Sequence, residues 1–342
     1  MQKKEDNNYI GVIDIGTTSI RFILFYTDGR IFYESFKQIS QIYPESGWVE
    51  EDANEILNAV EFVVKETINK LGGTSEKILA LGLCNQREST LIWDKRNGEA
   101  LSPVIVWQDR RTSKRCDELK KEVGEDLIRS KTGLMLDPYF SATKLEWLLT
   151  NSSTNNFSNL AFGTLDSWVI FKLTGNHLTD VSNASRTLLF NINTLIWDDD
   201  LLSIFNIPRS ILPDVKASYG DALFGYTKKD SVFKREIPVC SLLGDQQAAL
   251  FGQKCFKKGD IKSTFGTGCF LMMNTGKEKI NSKNNLSLET PPSIFMLLNL
   301  MPVSFSIAIV TSLVLYATDS NVARINSFLP VDLEIPIAKP LA

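Results

Sequence analysis

Ile78-Leu79-Ala80-Leu81-Gly82-Leu83-Cys84 runs directly into Asn85-Gln86-Arg87-Glu88-Ser89-Thr90. The apolar run predicts a buried strand of a mostly parallel sheet. Arg87 and Glu88 then sit side by side just past the strand's C-terminal end, where open α/β sheets bind their ligands. A guanidinium fork of donors beside a carboxylate acceptor suits a small, uncharged polyol.

The segments around this strand set its context. Tyr9 to Asp14 is apolar and β-prone, Gly16-Thr17-Thr18-Ser19 reads as a turn, and Ile20 to Tyr26 reads as a second strand. Asp28-Gly29 marks a hairpin into Ile31-Phe32-Tyr33. A helix follows, with Asp52 as its N-cap and Glu55 at capping-box spacing. Ile56, Val60, Val63, Thr67 and Leu71 form its apolar face, and Gly72 ends it. Asn97-Gly98 predicts a hairpin between Thr90–Trp93 and a strand near Val104-Ile105-Val106. Residues 113–170 read as largely helical. Segment 178–236 reads as short mixed elements bounded by Pro208 and Pro213, with Lys228-Lys229-Asp230 a solvated loop. Ile237 to Leu243 is a further strand, and a helix starts near Gln246.

Composition narrows the function classes. At 342 residues, 43% hydrophobic and 23% charged, the chain has the make-up of a soluble globular protein of about two domains. A net charge of −3 gives no electrostatic reason to expect nucleic acid as a partner. Cys84, Cys116, Cys240, Cys255 and Cys269 are scattered and form no CxxC pair, which points to reduced thiols in a cytoplasmic protein rather than a zinc site. The N-terminal stretch leads into a strand, not a signal sequence. The one histidine, His177, lies in a turn and reads as a surface residue. Any general base must therefore come from the carboxylates.

Three constellations carry chemistry. In Asp14-Ile15-Gly16-Thr17-Thr18-Ser19-Ile20-Arg21, small residues would let backbone N–H groups approach phosphate oxygens, the hydroxyls would add donors and Arg21 a charge. Asp14, at the strand end, could hold a magnesium ion through water; the plainer reading is a β-turn with an Asx contact. In Gly244-Asp245-Gln246-Gln247, Asp245 is either an N-cap or a general base for a substrate hydroxyl. In Trp107-Gln108-Asp109-Arg110-Arg111-Thr112, Trp107 could wall a polyol's C–H face or simply fill a core, and Asp109 and Arg110 could form a structural ion pair. Tyr139 is similarly open. The first loop also recurs loosely as Ile261-Lys262-Ser263-Thr264-Phe265-Gly266-Thr267-Gly268, which suggests a duplicated strand-turn-strand unit closing on a phosphate from two sides.

Further matches extend along residues 9–276: Gly47-Trp48-Val49-Glu50, Thr132-Gly133-Leu134, Tyr139-Phe140-Ser141-Ala142, Gly163-Thr164-Leu165-Asp166-Ser167-Trp168, Thr179-Asp180-Val181-Ser182-Asn183-Ala184-Ser185-Arg186-Thr187 and Thr264-Phe265-Gly266-Thr267-Gly268-Cys269-Phe270. With the strand-end and loop motifs above, they make the chain resemble the glycerol kinases within the FGGY carbohydrate kinase family. The Asn-Gln-Arg-Glu motif favours glycerol over the pentose and gluconate branches. The resemblance implies an α/β, actin-like, ribonuclease-H-like fold, a mixed sheet with flanking helices and two domains around a cleft. It implies ATP-dependent phosphorylation of glycerol to sn-glycerol 3-phosphate with Mg2+. By matching positions, Arg87, Glu88, Tyr139, Asp245 and Gln246 would bind glycerol hydroxyls and Trp107 and Phe270 would pack on its carbons. Asp245 would be the base. Thr17, Thr18, Ser19, Arg21 and Thr267 would hold the nucleotide phosphates, with Asp14 near the metal.

The departures are informative. Ile15 stands where glycerol kinases usually carry glutamine, and Ile20 where they carry a small hydroxyl residue. No histidine precedes the Asp245 strand, so the phosphorylation control of some members is not expected. The expected organisation is an N-terminal kinase domain over 1–252, the start of a second domain over 253–276, and a divergent apolar tail over 277–342. Nothing after residue 276 resembles the glycine-rich adenine pocket, so an incomplete second domain and impaired activity are expected. Two other readings compete. One is a kinase of another polyol or sugar, and the other is a non-catalytic fragment anchored to a membrane by the charge-free stretch 290–318. A homo-oligomer is left open.

Overall fold

The computed structural model describes residues 8–152, 157–220, 223–265 and 268–276. Thr267 and the tail at 277–342, including the 290–318 stretch, lie outside the described residues.

The chain opens with β1 (Tyr9–Ile15), β2 (Ser19–Tyr26), β3 (Ile31–Gln38) and β4 (Glu50–Glu51), followed by α1 (Ala53–Lys70). Next come β5 (Ile78–Asn85), β6 (Thr90–Asp94), β7 (Val104–Ile105), α2 (Ser113–Glu122), α3 (Glu125–Thr132) and α4 (Ser141–Asn151). β8 (Leu160–Thr164), α5 (Leu165–Thr174), β9 (Leu178–Asp180), α6 (Val181–Ala184), β10 (Phe190–Asn191), β11 (Ile196–Trp197) and α7 (Asp199–Ile204) continue the chain. It ends with β12 (Asp214–Lys216), β13 (Gly225–Tyr226), β14 (Pro238–Gly244), α8 (Asp245–Gly252), β15 (Ile261–Phe265) and β16 (Cys269–Met273).

The main sheet has six strands in the order β13-β14-β5-β1-β2-β3. β1, β5 and β14 run parallel, while β2, β3 and β13 are antiparallel to their neighbours. Every residue of β1 is buried, as a central strand covered on both faces requires. Helix α1 lays its apolar face on β2 and β3. Ile56, Val60, Val63 and Thr67 are buried as its periodicity predicts, and Asp52 caps it by accepting from the Asn54 N–H at 2.7 Å. Glu55 does not close a capping box: it accepts from the backbone and hydroxyl of Ser40, at 3.1 and 3.0 Å. A second sheet, β4-β7-β6-β8, stacks Trp93 against Trp168 of α5 at 5.3 Å.

The sheet is mixed rather than mostly parallel, with two of its five pairings parallel, and two further sequence expectations change. Residues 113–170 are not largely helical throughout, because Leu160–Thr164 is a buried strand paired with β6. The apolar run is too short for periodicity to separate strand from helix, although the Asn- and Ser-rich stretch at 151–159 marks a break before it. His177 is not a surface residue either. It is half-buried, packs edge-on against Trp93 at 5.1 Å, and holds the Phe162 carbonyl at 2.7 Å through Nε2. Burial pushes its pKa down from 6.5 to about 4.

A pH prediction follows from that shift. As pH falls, the unfolded chain protonates His177 first, so this contribution to stability is present above about 6.5 and is lost as pH falls toward about 4. Thermal unfolding at pH 7 and pH 5 should show a smaller fall in Tm for His177→Gln than for the wild type. An equal fall in both would contradict the assignment.

Candidate active site

The register of three parallel strands builds the site. Ile15 lies beside Asn85, and Asn85 lies beside Gly244. The chain therefore leaves the sheet at one level in three places, at Gly16, Gln86 and Asp245, which is the ligand-binding edge of an open α/β sheet.

At the middle exit the backbone folds tightly. The Ser89 N–H bonds to the Arg87 carbonyl at 2.7 Å, and Glu88 takes a left-handed φ of 64°. This conformation costs a non-glycine residue about 1–3 kcal/mol and persists where its surroundings enforce it. The hydroxyls of Thr90 and Ser141 supply that enforcement by donating to the Glu88 carbonyl, at 2.8 and 3.0 Å. The turn places Arg87 and Glu88 together on the cleft wall.

Arg87 is 3% exposed. Its Nε lies 3.2 Å from Asp245 Oδ1, and its Nη1 donates to Gln247 Oε1 at 3.1 Å. Its aliphatic stem crosses the end of β14 so closely that a Cβ on Gly244 would sit 2.5 Å from Arg87 Cδ. Only glycine leaves room for that crossing. Glu88 is 1% exposed and receives the Arg186 Nε at 2.5 Å, with Arg87 Nε 3.9 Å away. Two buried guanidinium groups therefore face two carboxylates.

Asp245 is the first residue of α8, and the N-cap is Gly244, so the plain N-cap reading of Asp245 does not hold. Its side chain keeps 38% of its surface open to the cleft. Burial pushes the carboxyl above the usual range, Arg87 pulls against that, and the Glu88 charge adds to the rise. Asp14 is 8% exposed at the end of β1 and accepts from the Cys84 thiol at 3.2 Å. Burial lifts its pKa to about 6, against the pull of that hydrogen bond and of Arg21.

Aromatic rings close the other side. Trp107 meets Tyr139 at 5.7 Å and Phe270 at 6.0 Å, both edge to face. The Trp107 indole N–H donates to the Thr17 hydroxyl at 3.1 Å, tying this wall to the first loop. The fully buried Lys144 fixes Tyr139 by donating to its carbonyl at 2.7 Å. Behind the strand ends, Asn85 and Asn183 exchange amide hydrogen bonds at 3.0 and 3.1 Å, and Ser182 Oγ accepts from the Gly244 N–H at 2.8 Å. Asp180 anchors both α6 residues.

The cleft holds a cavity of about 150 Å³. Its walls include Thr17, Thr18, Arg87, Glu88, Trp107 and Tyr139, and also Asp245, Gln246 and Phe270. These expected site residues come together. Ser19 and Arg21 lie at the start of β2 rather than on that wall, and Arg21 pairs with Glu34 at 3.5 Å. Thr267 falls outside the described residues. The expected Asp109–Arg110 pair is not formed: Asp109 binds Arg111 at 2.8 Å and the Val49 N–H, while Arg110 binds Asp137 at 2.8 Å. Sequence reasoning gave no role to Arg186, Lys144, Lys262 or Thr264. Arg186, Lys262 and Thr264 stood inside quoted motifs, but nothing there showed their partners, and Glu88, the partner of Arg186, lies 98 residues away.

Residues 9–252 match the family model for the N-terminal domain of the FGGY family of carbohydrate kinases. The chain belongs to this family. It is 49% identical over 292 residues to a glycerol kinase of Haloferax volcanii, covering 81% of this chain and 57% of that relative. It is 51% identical to a glycerol kinase of Janthinobacterium, covering 82% and 56%. Among solved structures, Plasmodium falciparum glycerol kinase with ADP superposes with a TM-score of 0.78 at 36% identity, covering 82% of this chain and 57% of that one. A ligand-bound xylulose kinase of Lactobacillus acidophilus, at 24% identity and a TM-score of 0.73, shares the fold. The FGGY chain described here thus has the actin-like α/β fold of its neighbours and spans 57% of the length of the first of these relatives.

The double charge pairing yields a stability prediction. Arg186→Met leaves Glu88 buried with one cation fewer and should cost about 3–5 kcal/mol in urea unfolding. Adding Glu88→Gln should recover part of the loss, because it removes the stranded charge. Additive losses in the double variant would count against a direct pair.

Proposed function

We propose that the chain carries the polyol-binding and phosphate-facing part of an ATP-dependent glycerol kinase, whose product is sn-glycerol 3-phosphate. One observation carries the reading: Asp245, open to the cleft, shares that small space with Arg87, Glu88 and an aromatic wall. Glycerol needs donors and acceptors for its hydroxyls and flat apolar surface for its carbons. Arg87 and Gln246 supply donors, Glu88 and Asp245 supply acceptors, and Trp107 and Phe270 supply surface, with the Tyr139 hydroxyl able to do either. The near relatives' names point the same way.

In the proposed reaction Asp245 accepts the proton of a terminal hydroxyl while its oxygen attacks the γ-phosphorus of ATP and ADP leaves. A positioned base of this kind contributes roughly 10²–10⁴ in rate. Its burial-raised carboxyl suits proton acceptance, and the Arg87 guanidinium pulls against that rise. Thr17 and Thr18, with Ser19, Arg21 and Thr267, are assigned to the nucleotide phosphates. Arg21, off the cleft wall and paired with Glu34, would have to leave that pair to add the charge expected of such a loop.

Asp14 fits a magnesium ion. It is a strand-end carboxylate just before the Thr17–Thr18 loop that lines the cleft, its own side chain lying behind that lining, and magnesium is commonly held by one or two carboxylates, water and substrate phosphates. The ion would neutralise charge developing on the transferred phosphoryl group. We assign residues 1–252 to the N-terminal kinase domain and 253–276, with the β15–β16 hairpin, to the start of a second. We also place the protein in the cytoplasm, a reading supported by the thiol state of its cysteines. Among the described residues no helix is long and apolar enough to cross a membrane.

Asp245→Asn, in a chain completed to the length of its relatives, should lower kcat by at least about 100-fold while calorimetry still detects glycerol. Unchanged turnover would remove Asp245 as the base. A stronger response to five-carbon polyols than to glycerol would reassign the substrate within the family.

A further inference from the structure

Lys262 lies on β15 with 4% of its surface exposed. Along that strand Ser263 and Phe265 face outward, while Lys262 and Thr264 point the other way, toward α8 and the cleft. A lysine is rarely so buried unless its ammonium is well bonded. It donates to Gln246 Oε1 and, at 2.7 Å, to Thr264 Oγ1.

An ammonium offers only donors, so both partners are forced into one polarity. The Gln246 carbonyl must turn toward Lys262, which sends its NH2 group the other way. That group lies 3.2 Å from Asp245 Oδ2, and the Gln246 backbone N–H donates to Asp245 Oδ1 at 2.7 Å. The Thr264 oxygen is likewise engaged as an acceptor, so its own proton points elsewhere, and Thr264 lines the cleft.

We propose that Lys262 is a positioning residue of this site: through Gln246 it fixes the orientation of the Asp245 carboxylate, and it turns Gln246 and Thr264 into donors facing the substrate. Gln246 and Thr264 then select oxygen lone pairs on the ligand, which a hydroxyl or phosphoryl oxygen provides and an ammonium does not. The ligand side of this assignment rests on the polyol-kinase reading above. The organisation of Asp245 does not.

Asp245 is faced by Arg87 and Glu88 from the strand-end turn, by Asp14 from β1, by Gln246 on its own helix and by Lys262 from β15. Arg87 and Lys262 thus both help to hold its charge. The test is a carbon-13 NMR titration of the Asp245 carboxyl in the full chain without ligand. Lys262→Met should raise its midpoint by about one pH unit. Lys262→Gln, which keeps a donor for folding but loses the charge, should raise it in the same direction. A midpoint that stays put in a folded variant overturns the proposal. A parallel glycerol titration, followed by tryptophan fluorescence, should show at least about tenfold weaker binding in Lys262→Met. Equal affinity would overturn the ligand-side role. If the wild-type chain binds no glycerol, the polyol reading fails, and the carboxyl titration still decides whether Lys262 organises Asp245.

Discussion

The close crossing of Arg87 over Gly244 is the constraint on which the site depends. It requires β5 and β14 to be neighbours in parallel, to end at the same level, and to carry no side chain at the crossing. Given those conditions, a guanidinium from one strand end meets a carboxylate from the next at 3.2 Å. A one-residue slip of β14 would move Asp245 to the opposite face of the sheet and dissolve the pair. The amide exchange between Asn85 and Asn183, and the Ser182–Gly244 bond, secure this register from behind.

Buried charge is the cost of such a site, and the fold offsets it locally. Arg87, Arg186, Glu88 and Asp245 form a balanced cluster, so no carboxylate stands alone. Asp180 is balanced differently, by the hydroxyls of Ser182 and Ser218 and by amide donors of α6. Such networks hold side chains within the tolerances that a reacting geometry demands. They also explain why Glu88 can keep a strained backbone: its carbonyl and its carboxylate are both engaged.

Much of this was legible in the chain. The apolar run before Asn85 placed Arg87 and Glu88 at a strand end, and Asp52, Gly72 and the Asp28-Gly29 turn marked elements that exist as expected. Local signals also brought Asp245 and Trp107 forward, and resemblance to a family joined them. Sequence could not reveal partners chosen by tertiary contact. Glu55 sits at capping-box spacing yet turns to Ser40, and Asp109 passes over Arg110 for Arg111, which Trp48 stacks upon at 3.8 Å. Lys262 and Arg186 were invisible for the same reason, since a charge in a short strand or turn discloses neither its burial nor its distant partner. His177 misled because turn residues are usually exposed, and this one has Trp93 beside it.

A crystal structure of the chain grown with glycerol tests the central claim most directly. The account predicts a glycerol molecule between Arg87 and the Trp107–Phe270 wall, with a terminal hydroxyl within hydrogen-bond distance of an Asp245 carboxylate oxygen. Glycerol bound elsewhere, or seated here with its hydroxyls turned away from Asp245, would contradict it.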